Sequence, residues 1–187
     1  MNLPEILFGL EPWTILLILV SAGLYGGALV AVGSVALRIV FREIPDPGTS
    51  ILQRQLVFAA WLGIVFVLLQ WLLQASFLGG GTFASAVDPF LLTLVFDSAQ
   101  GDRILFTVLG LLLLQAALLD RSRIGLAAHA LGLLGAFFVL LAFAQVGHTR
   151  DEPRWLLAGL LLIHVAAVAF WTAALIPMHG IVARSND

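Results

Sequence analysis

Four histidines, His129, His148, His164 and His179, are the side chains best suited to chemistry. Neutral imidazole is a ligand for copper and zinc. Met178 stands next to His179 and adds a thioether, a soft donor that pairs with imidazole on Cu(I). The other polar groups set in apolar runs are Gln70, Gln74, Gln115 and Gln145. There is no cysteine, which removes disulfides, thiolate metal sites and Cys-linked haem. All nine basic residues are arginine. No Ser/His/Asp arrangement, nucleotide loop or HExxH pattern stands out, so the chain does not read as an enzyme. His164 carries the most weight. It lies deep in the apolar run "WLLAGLLLIHVAAVAFW", and an ionisable group inside a membrane helix is costly and by default functional. Trp171 follows seven residues later and so shares its helix face.

The elements that position these groups follow from composition. The 187 residues are 61% hydrophobic and 11% charged, about half the charge of a soluble domain. Apolar runs of about 18 residues or more are long enough to cross a hydrocarbon core about 30 Å thick. The sequence predicts an all-α polytopic membrane helix bundle in one domain, residues 1–187, with five transmembrane helices. They run from Trp13 to Leu37, Leu56 to Leu78, Ile104 to Leu119, Ile124 to Val146 and Pro153 to Ile176. Phe90 to Phe96 is too short to cross and is expected to lie at the interface, or dip in, as a short helix between the second and third spans. Arginines near the helix ends set the orientation. With the N-terminus outside, inner segments hold Arg38, Arg42, Arg54, Arg121, Arg123 and Arg184, and outer ones hold Arg103, Arg150 and Arg154. Six against three predicts N-out, C-in. The acidic start has no basic region before the first apolar run, so that run does not read as a cleaved signal peptide. Net charge of −2 leaves no basic face for nucleic acid. Small residues every fourth position, Gly23, Gly27 and Ala31 on the first span and Ala128, Gly132 and Ala136 on the fourth, let helices approach closely.

A rise of about 1.5 Å per residue converts position to depth. From an outer boundary at His148 and Pro153, His164 lies roughly 16 Å deep, His129 about 28 Å and His179 about 39 Å. Metal-ligand bonds of about 2 Å require two imidazoles to be nearly level. The ladder therefore speaks against a closed two-histidine site, and against a bis-histidine haem, within one copy of the chain. Two routes to a metal at His164 remain: oxygen ligands from neighbours, with Gln70 and Gln115 at comparable depth, or the same histidine of a second copy in a homodimer. This reading requires that the His164 ring meet a neighbour or a cavity rather than acyl chains alone. Gln70 and Gln74, one turn apart, also read as interhelical hydrogen-bonding groups.

The run from Gly147 and His148, through a short outer loop, to His164 and Trp171 resembles the copper resistance protein D family of bacterial inner-membrane proteins. The first span, "YGGALVAVGS" from Tyr25 to Ser34, and "FDSAQGDRIL" from Phe96 to Leu105 are similar to that family as well. The chain departs from it at Thr172-Ala173-Ala174, where family members carry small residues, often Gly-Gly, after the Trp. Family members also continue with further spans, so the resemblance is to their N-terminal half. It implies a multi-pass protein of the bacterial inner (plasma) membrane that handles copper ion, by uptake or transport or in copper resistance, with delivery to or from a periplasmic copper-binding protein. It implies His148 as the metal ligand at the outer mouth and His164 as a midway station; Met178 and His179, read from their side chains alone, are weaker candidates. Two other readings stay open: a membrane redox protein holding haem, which the unequal histidine depths disfavour, and a ligand-free structural or assembly subunit.

Overall fold

The computed structural model describes residues 12–41, 48–118, 121–145 and 153–184. In hydrocarbon each backbone N–H and C=O must be paired within its own segment, so the apolar runs become helices. These are α1 (Pro12–Val40), α2 (Gly48–Leu78), two short helices α3 (Phe83–Ala86) and α4 (Pro89–Phe96), α5 (Ala99–Leu114) continued by a 3-10 turn (Gln115–Leu118), α6 (Arg121–Phe143) and α7 (Arg154–Arg184). No strand occurs among the described residues. Four helices, α1, α2, α6 and α7, are long and apolar enough to cross a membrane. The third predicted span is shorter: α5 has 16 residues before its hydrogen bonding tightens at Gln115.

Side-chain contacts fix the helix directions. A Cβ placed on Gly27 of α1 would lie 2.7 Å from the Gly63 nitrogen and 2.9 Å from the Ala59 carbonyl of α2. Ser21 and Gln70 meet further up this pair, and Leu37 and Leu52 share a buried cluster further down, so α1 and α2 are antiparallel. Val67 clusters with Ile104 while Gly63 meets Leu111, so α5 runs against α2. Phe106 stacks on Phe138, and Gly110 faces Gly135 and Val139, so α6 runs against α5. Gly33 lies against Ala169, and Leu37 against Ala173 and Ala174, so α7 runs parallel to α1. Thus α1, α5 and α7 point one way, and α2 and α6 the other. The main core lies where α1, α2, α5 and α6 converge, on fully buried Ala31, Leu56, Ala60, Leu111 and Leu114. Outward faces are apolar too; Phe58, Trp61 and Val65 form an exposed stripe on α2. An outward face of that kind suits lipid rather than water.

The small-residue stripe on α1 is a contact surface, as its spacing predicts: Gly23 faces the Phe66 ring, Gly27 faces Gly63, and Ala31 is fully buried. On α6, Ala128 and Gly132 are buried, but the closest approach is at Gly135, whose Cβ would meet the Leu114 nitrogen at 2.6 Å. Short α4 is held from both ends. Asp88 caps it, accepting from Phe90 N at 2.9 Å and Leu91 N at 3.1 Å. Trp71 Nε1 donates to the Leu92 carbonyl at 3.0 Å, and Trp71 lies 5.7 Å from the Phe96 ring. Trp71 is seven residues below the end of α2, about 10 Å by helix rise. The chain therefore turns back alongside α2 before α5 begins.

Helix α7 does not stop at Ile176 as predicted but continues through Pro177 to Arg184. Proline lacks the N–H that would bond the carbonyl four residues earlier, so Ala173 loses its intrahelical donor. The Gln55 side chain of α2 replaces it: Gln55 Nε2 donates to the Ala173 carbonyl at 3.0 Å, in a buried contact. A neighbouring helix that satisfies the freed carbonyl is what lets proline persist inside a membrane helix.

Candidate metal-handling site

His164 lies in the middle stretch of α7, and its side chain is exposed. The buried described positions of α7 are Val165, Ala169, Ala173, Ala174 and Pro177, of which Ala169, Ala173 and Ala174 pack against α1 and α2. His164 falls on the opposite stripe with Leu160, Ile163, Trp171 and Leu175, all exposed. Sequence spacing predicts the shared face of His164 and Trp171, and the structure has it. The face points away from the bundle, so among the described residues none covers the ring, and the neighbour or cavity that the sequence reading requires is not met within one copy of the chain. The parallel register of Gly33 with Ala169 places His164 level with Ala28, close to the midpoint of α1.

The remaining candidates do not converge on it. His148 lies outside the described residues. His129 is half-buried near the start of α6, about 15 Å below the His164 level by helix register. Met178 and His179 are exposed near the far end of α7. Among the described residues no group of three or more His, Asp or Glu side chains could hold a metal. Gln70 is committed elsewhere: it is buried, and its Nε2 donates to Ser21 Oγ at 3.0 Å across the α1–α2 interface. Such interhelical bonds hold membrane helices together. Seven residues of α1 separate Ser21 from Ala28, about 10 Å by helix rise, so Gln70 is not level with His164. What the fold offers a copper ion at this depth is one imidazole on an open face, a half-site.

Among the buried polar residues outside the set that the sequence singles out, two bear on the packing of the spans. One is Gln55, which falls just before the predicted start of the second span. The other is Arg103, which the sequence places in an outer loop. Ser98 caps α5, accepting from Gln100 N at 3.1 Å, and the helix begins at Ala99, five residues before the predicted Ile104. Arg103 is thus a helical residue, only 5% exposed. Its guanidinium carbon sits 5.4 Å from the centroid of the Tyr25 ring, at the middle of α1. Its Nη2 has no hydrogen-bond partner among the described residues. Thr107, one turn along α5, is 3% exposed, and the two line a narrow cleft with Tyr25, Ala28, Ala142 and Phe143. An arginine at the centre of a membrane helix costs about 2.5–3.5 kcal/mol on the insertion scale, an upper bound for Arg103 in the second turn of α5. A cation–π contact returns about 0.5–2 kcal/mol. Tyr25 alone does not offset the charge. A serine before "AQGD" is the capping signal that would have put Arg103 inside the helix.

Compared with known protein families, residues 11–158 match the copper resistance protein D-like N-terminal domain. His148 falls inside the matched region, whereas His164, Trp171, Met178 and His179 lie beyond it. No curated protein and no solved structure matches the chain. With that match covering about four-fifths of its length and four long apolar helices, the chain belongs to the copper resistance protein D-like N-terminal domain family and is a copper-related, multi-pass membrane protein.

Proposed function

We propose that the chain carries copper ions as cargo in the bacterial inner membrane, in uptake or resistance, receiving them at His148 and holding them midway at His164. The observation that carries this reading is an imidazole level with the middle of α1 in a copper resistance protein D-like chain. A permeating ion needs sites weak enough to release it, which suits a half-site better than a closed cage. Arg103 adds a second argument. Its fixed positive charge lies at nearly the same level but among α1, α5 and α6, and it opposes a cation there. The outer face of α7 is the side left to copper. Completing the site takes a second imidazole, supplied by His164 of another copy in a homodimer. Ligand bonds of about 2 Å require the two ring nitrogens to stand about 4 Å apart. A periplasmic copper-binding protein is the donor or acceptor at the His148 end, and the bilayer is the solvent for the rest.

The membrane topology we infer has five crossings, N-out and C-in. Helices α2 and α6 run in the same direction, so the segment between them has to return across the bundle. The 16 residues of α5 and four of the 3-10 turn measure roughly 32 Å together, enough for a core about 30 Å thick. Helix α4 takes the interfacial or dipping position beside Trp71. Setting aside Arg103, which is buried inside the bundle, leaves six arginines near inner helix ends against two near outer ones, which favours the same orientation. All of these elements form a single domain.

The test is metal analysis of the purified protein after copper loading, with an absorbance spectrum of the same sample. The wild type is expected to retain copper, and His164→Ala to lose most of it. Full copper accumulation by His164→Ala cells would refute the central role of that ring, and a Soret band would shift the reading to haem. The chain has no cysteine, so His164→Cys is a unique reporter: oxidation in membranes is expected to yield a covalent dimer. A monomer alone would remove the shared site.

A further inference from the structure

We propose that a groove between the N-terminal halves of α1 and α7 binds one acyl chain of a membrane phospholipid. The two helices run parallel, and Gly33 of α1 lies against the Ala169 backbone of α7. Leu37 and Ala173, one turn further on, share a buried cluster. Helical spacing carries the contact face of α1 upward through Val30, Gly26, Ala22 and Leu19, and that of α7 upward through Val165, Leu162 and Trp155. Seven residues above Gly33 is Gly26, and seven above Ala169 is Leu162, so the two faces keep one register. Helices that stayed in contact would bury these positions. Instead exposure rises along the stripe: Val30 is half-buried, Gly26 and Ala22 are exposed, and Leu19 is 60% exposed. On α7, Val165 is buried, Leu162 is half-buried, and Trp155 is 78% exposed. A Cβ added at Gly26 would meet nothing within 4 Å, although Gly23 and Gly27 on the adjoining face are closed off by Phe66 and Gly63 of α2. The helices therefore part above Val30 and leave a groove open to the bilayer.

Width, length and polarity select the occupant. Helices of membrane bundles commonly cross at about 20°. Starting from contact at Gly33, about 10 Å of rise widens the gap by about 4 Å at the level of Gly26. A hydrocarbon chain packs at carbon–carbon distances of about 3.5–4.0 Å and fits such a gap, whereas another helix is about 10–12 Å across. From Val30 to Leu19 the groove runs for eleven residues, roughly 16 Å, against about 15 Å for one leaflet of the hydrocarbon core. Ala22, Gly26 and Leu162, which line it, carry no polar side-chain atom. A water molecule needs about two to four polar partners and does not fill it. Left empty, the groove forfeits the dispersion contacts of its lining, and a lipid tail that enters touches two helices where an open face offers one. About ten additional carbon contacts amount to about a tenfold preference for the groove. It lies on the flank of α7 opposite His164, so this inference does not depend on the copper reading.

The experiment uses the full chain in phosphatidylcholine nanodiscs containing a minor fraction of phosphatidylcholine with a diazirine midway along one acyl chain. After irradiation, labelled residues are located by peptide mass spectrometry. Wild type is expected to take up about tenfold more label at Ala22, Gly26 and Leu162 than at Phe58, Trp61 and Val65 on the open face of α2. Gly26→Leu fills the groove from within and is expected to lower the label at Ala22 and Leu162 about tenfold, with the α2 face and the helical spectrum unchanged. Should Gly26→Leu fail to fold, Ala22→Leu takes its place with the same expectation at Gly26 and Leu162. Equal labelling of the groove and the α2 face in wild type, or groove labelling that the filling variant does not lower, would overturn the proposal. So would a groove shielded from the lipid probe, since a protein segment such as a second copy would then be its occupant.

Discussion

Pro177 and Gln55 are a matched pair, and a double-mutant cycle measures the match. In the wild type the Ala173 carbonyl has lost its intrahelical donor to Pro177 and receives the Gln55 side chain instead, at 3.0 Å. Gln55→Leu leaves that buried carbonyl unpaired, at a cost of about 1–3 kcal/mol. Some of this returns, because Gln55 Oε1 is itself buried without a described partner and the change removes it. The net expectation is a loss of about 1–2 kcal/mol. In a Pro177→Ala background the new N–H reaches the Ala173 carbonyl, so Gln55→Leu there is expected to be close to neutral. The coupling energy is then about 1–2 kcal/mol, well above the scatter of about 0.3–0.5 kcal/mol for independent sites. The assay is unfolding of the four proteins in mixed micelles titrated with denaturing detergent, followed by far-UV dichroism and by fluorescence of the five tryptophans. If Gln55→Leu costs the same in both backgrounds, the glutamine is not compensating for the proline and the reasoning fails.

Two neighbouring glycines are expected to respond with opposite signs. Gly26 has nothing within 4 Å of an added Cβ, so Gly26→Ala is expected to stabilise α1 by up to about 1 kcal/mol of helix propensity. Gly27 faces the backbone of α2, so Gly27→Ala forces the helices apart and is expected to destabilise by about 1–3 kcal/mol, less that same propensity gain. Equal thermal shifts for the two would contradict the α1–α2 contact. Trp71→Phe keeps the ring but removes the bond to the Leu92 carbonyl, so amide exchange across Pro89–Phe96 is expected to rise about fivefold, with α1 and α2 unaffected. Asp88→Ala removes the cap of the same helix and is expected to raise its exchange by a similar factor, since a cap contributes about 1 kcal/mol.

The long helices are legible in the sequence because hydrocarbon leaves an apolar run little choice but to coil. Their ends are less so. Helix α2 starts at Gly48 rather than Leu56, because Gln55 finds a partner on α7 that no local pattern announces. Helix α7 outlasts Pro177 for the same reason, seen from the other side. Arg103 reads as a boundary charge while α5 is taken to begin at Ile104; the Ser98 cap moves the boundary, and the tyrosine covering it lies 78 positions earlier. Regular four-residue spacing revealed Gly27, whereas Gly110 and Gly135 pair across two helices without a stripe of their own. At the candidate site, the face that His164 shares with Trp171 was readable, since it follows from residue spacing. Direction was not. Whether a given face points inward depends on which helices sit beside it, and α7 has α1 and α2 on its other flank.

The uneven seating of α7 has a mechanical consequence. Its lower half is clamped where Ala169 and Ala173 are fully buried and Gln55 grips the backbone, while Trp155, Leu160 and Ile163 above are 57% or more exposed. A rod held this way has a fulcrum near Ala169. Arg154 lies fifteen residues from it and His164 five, roughly 22 Å and 7 Å along the axis. The arm ratio is about three to one. Swinging the Arg154 tip by about 3 Å would carry the imidazole by only about 1 Å, so α7 gears movement at its N-terminal end down to a fine adjustment at His164.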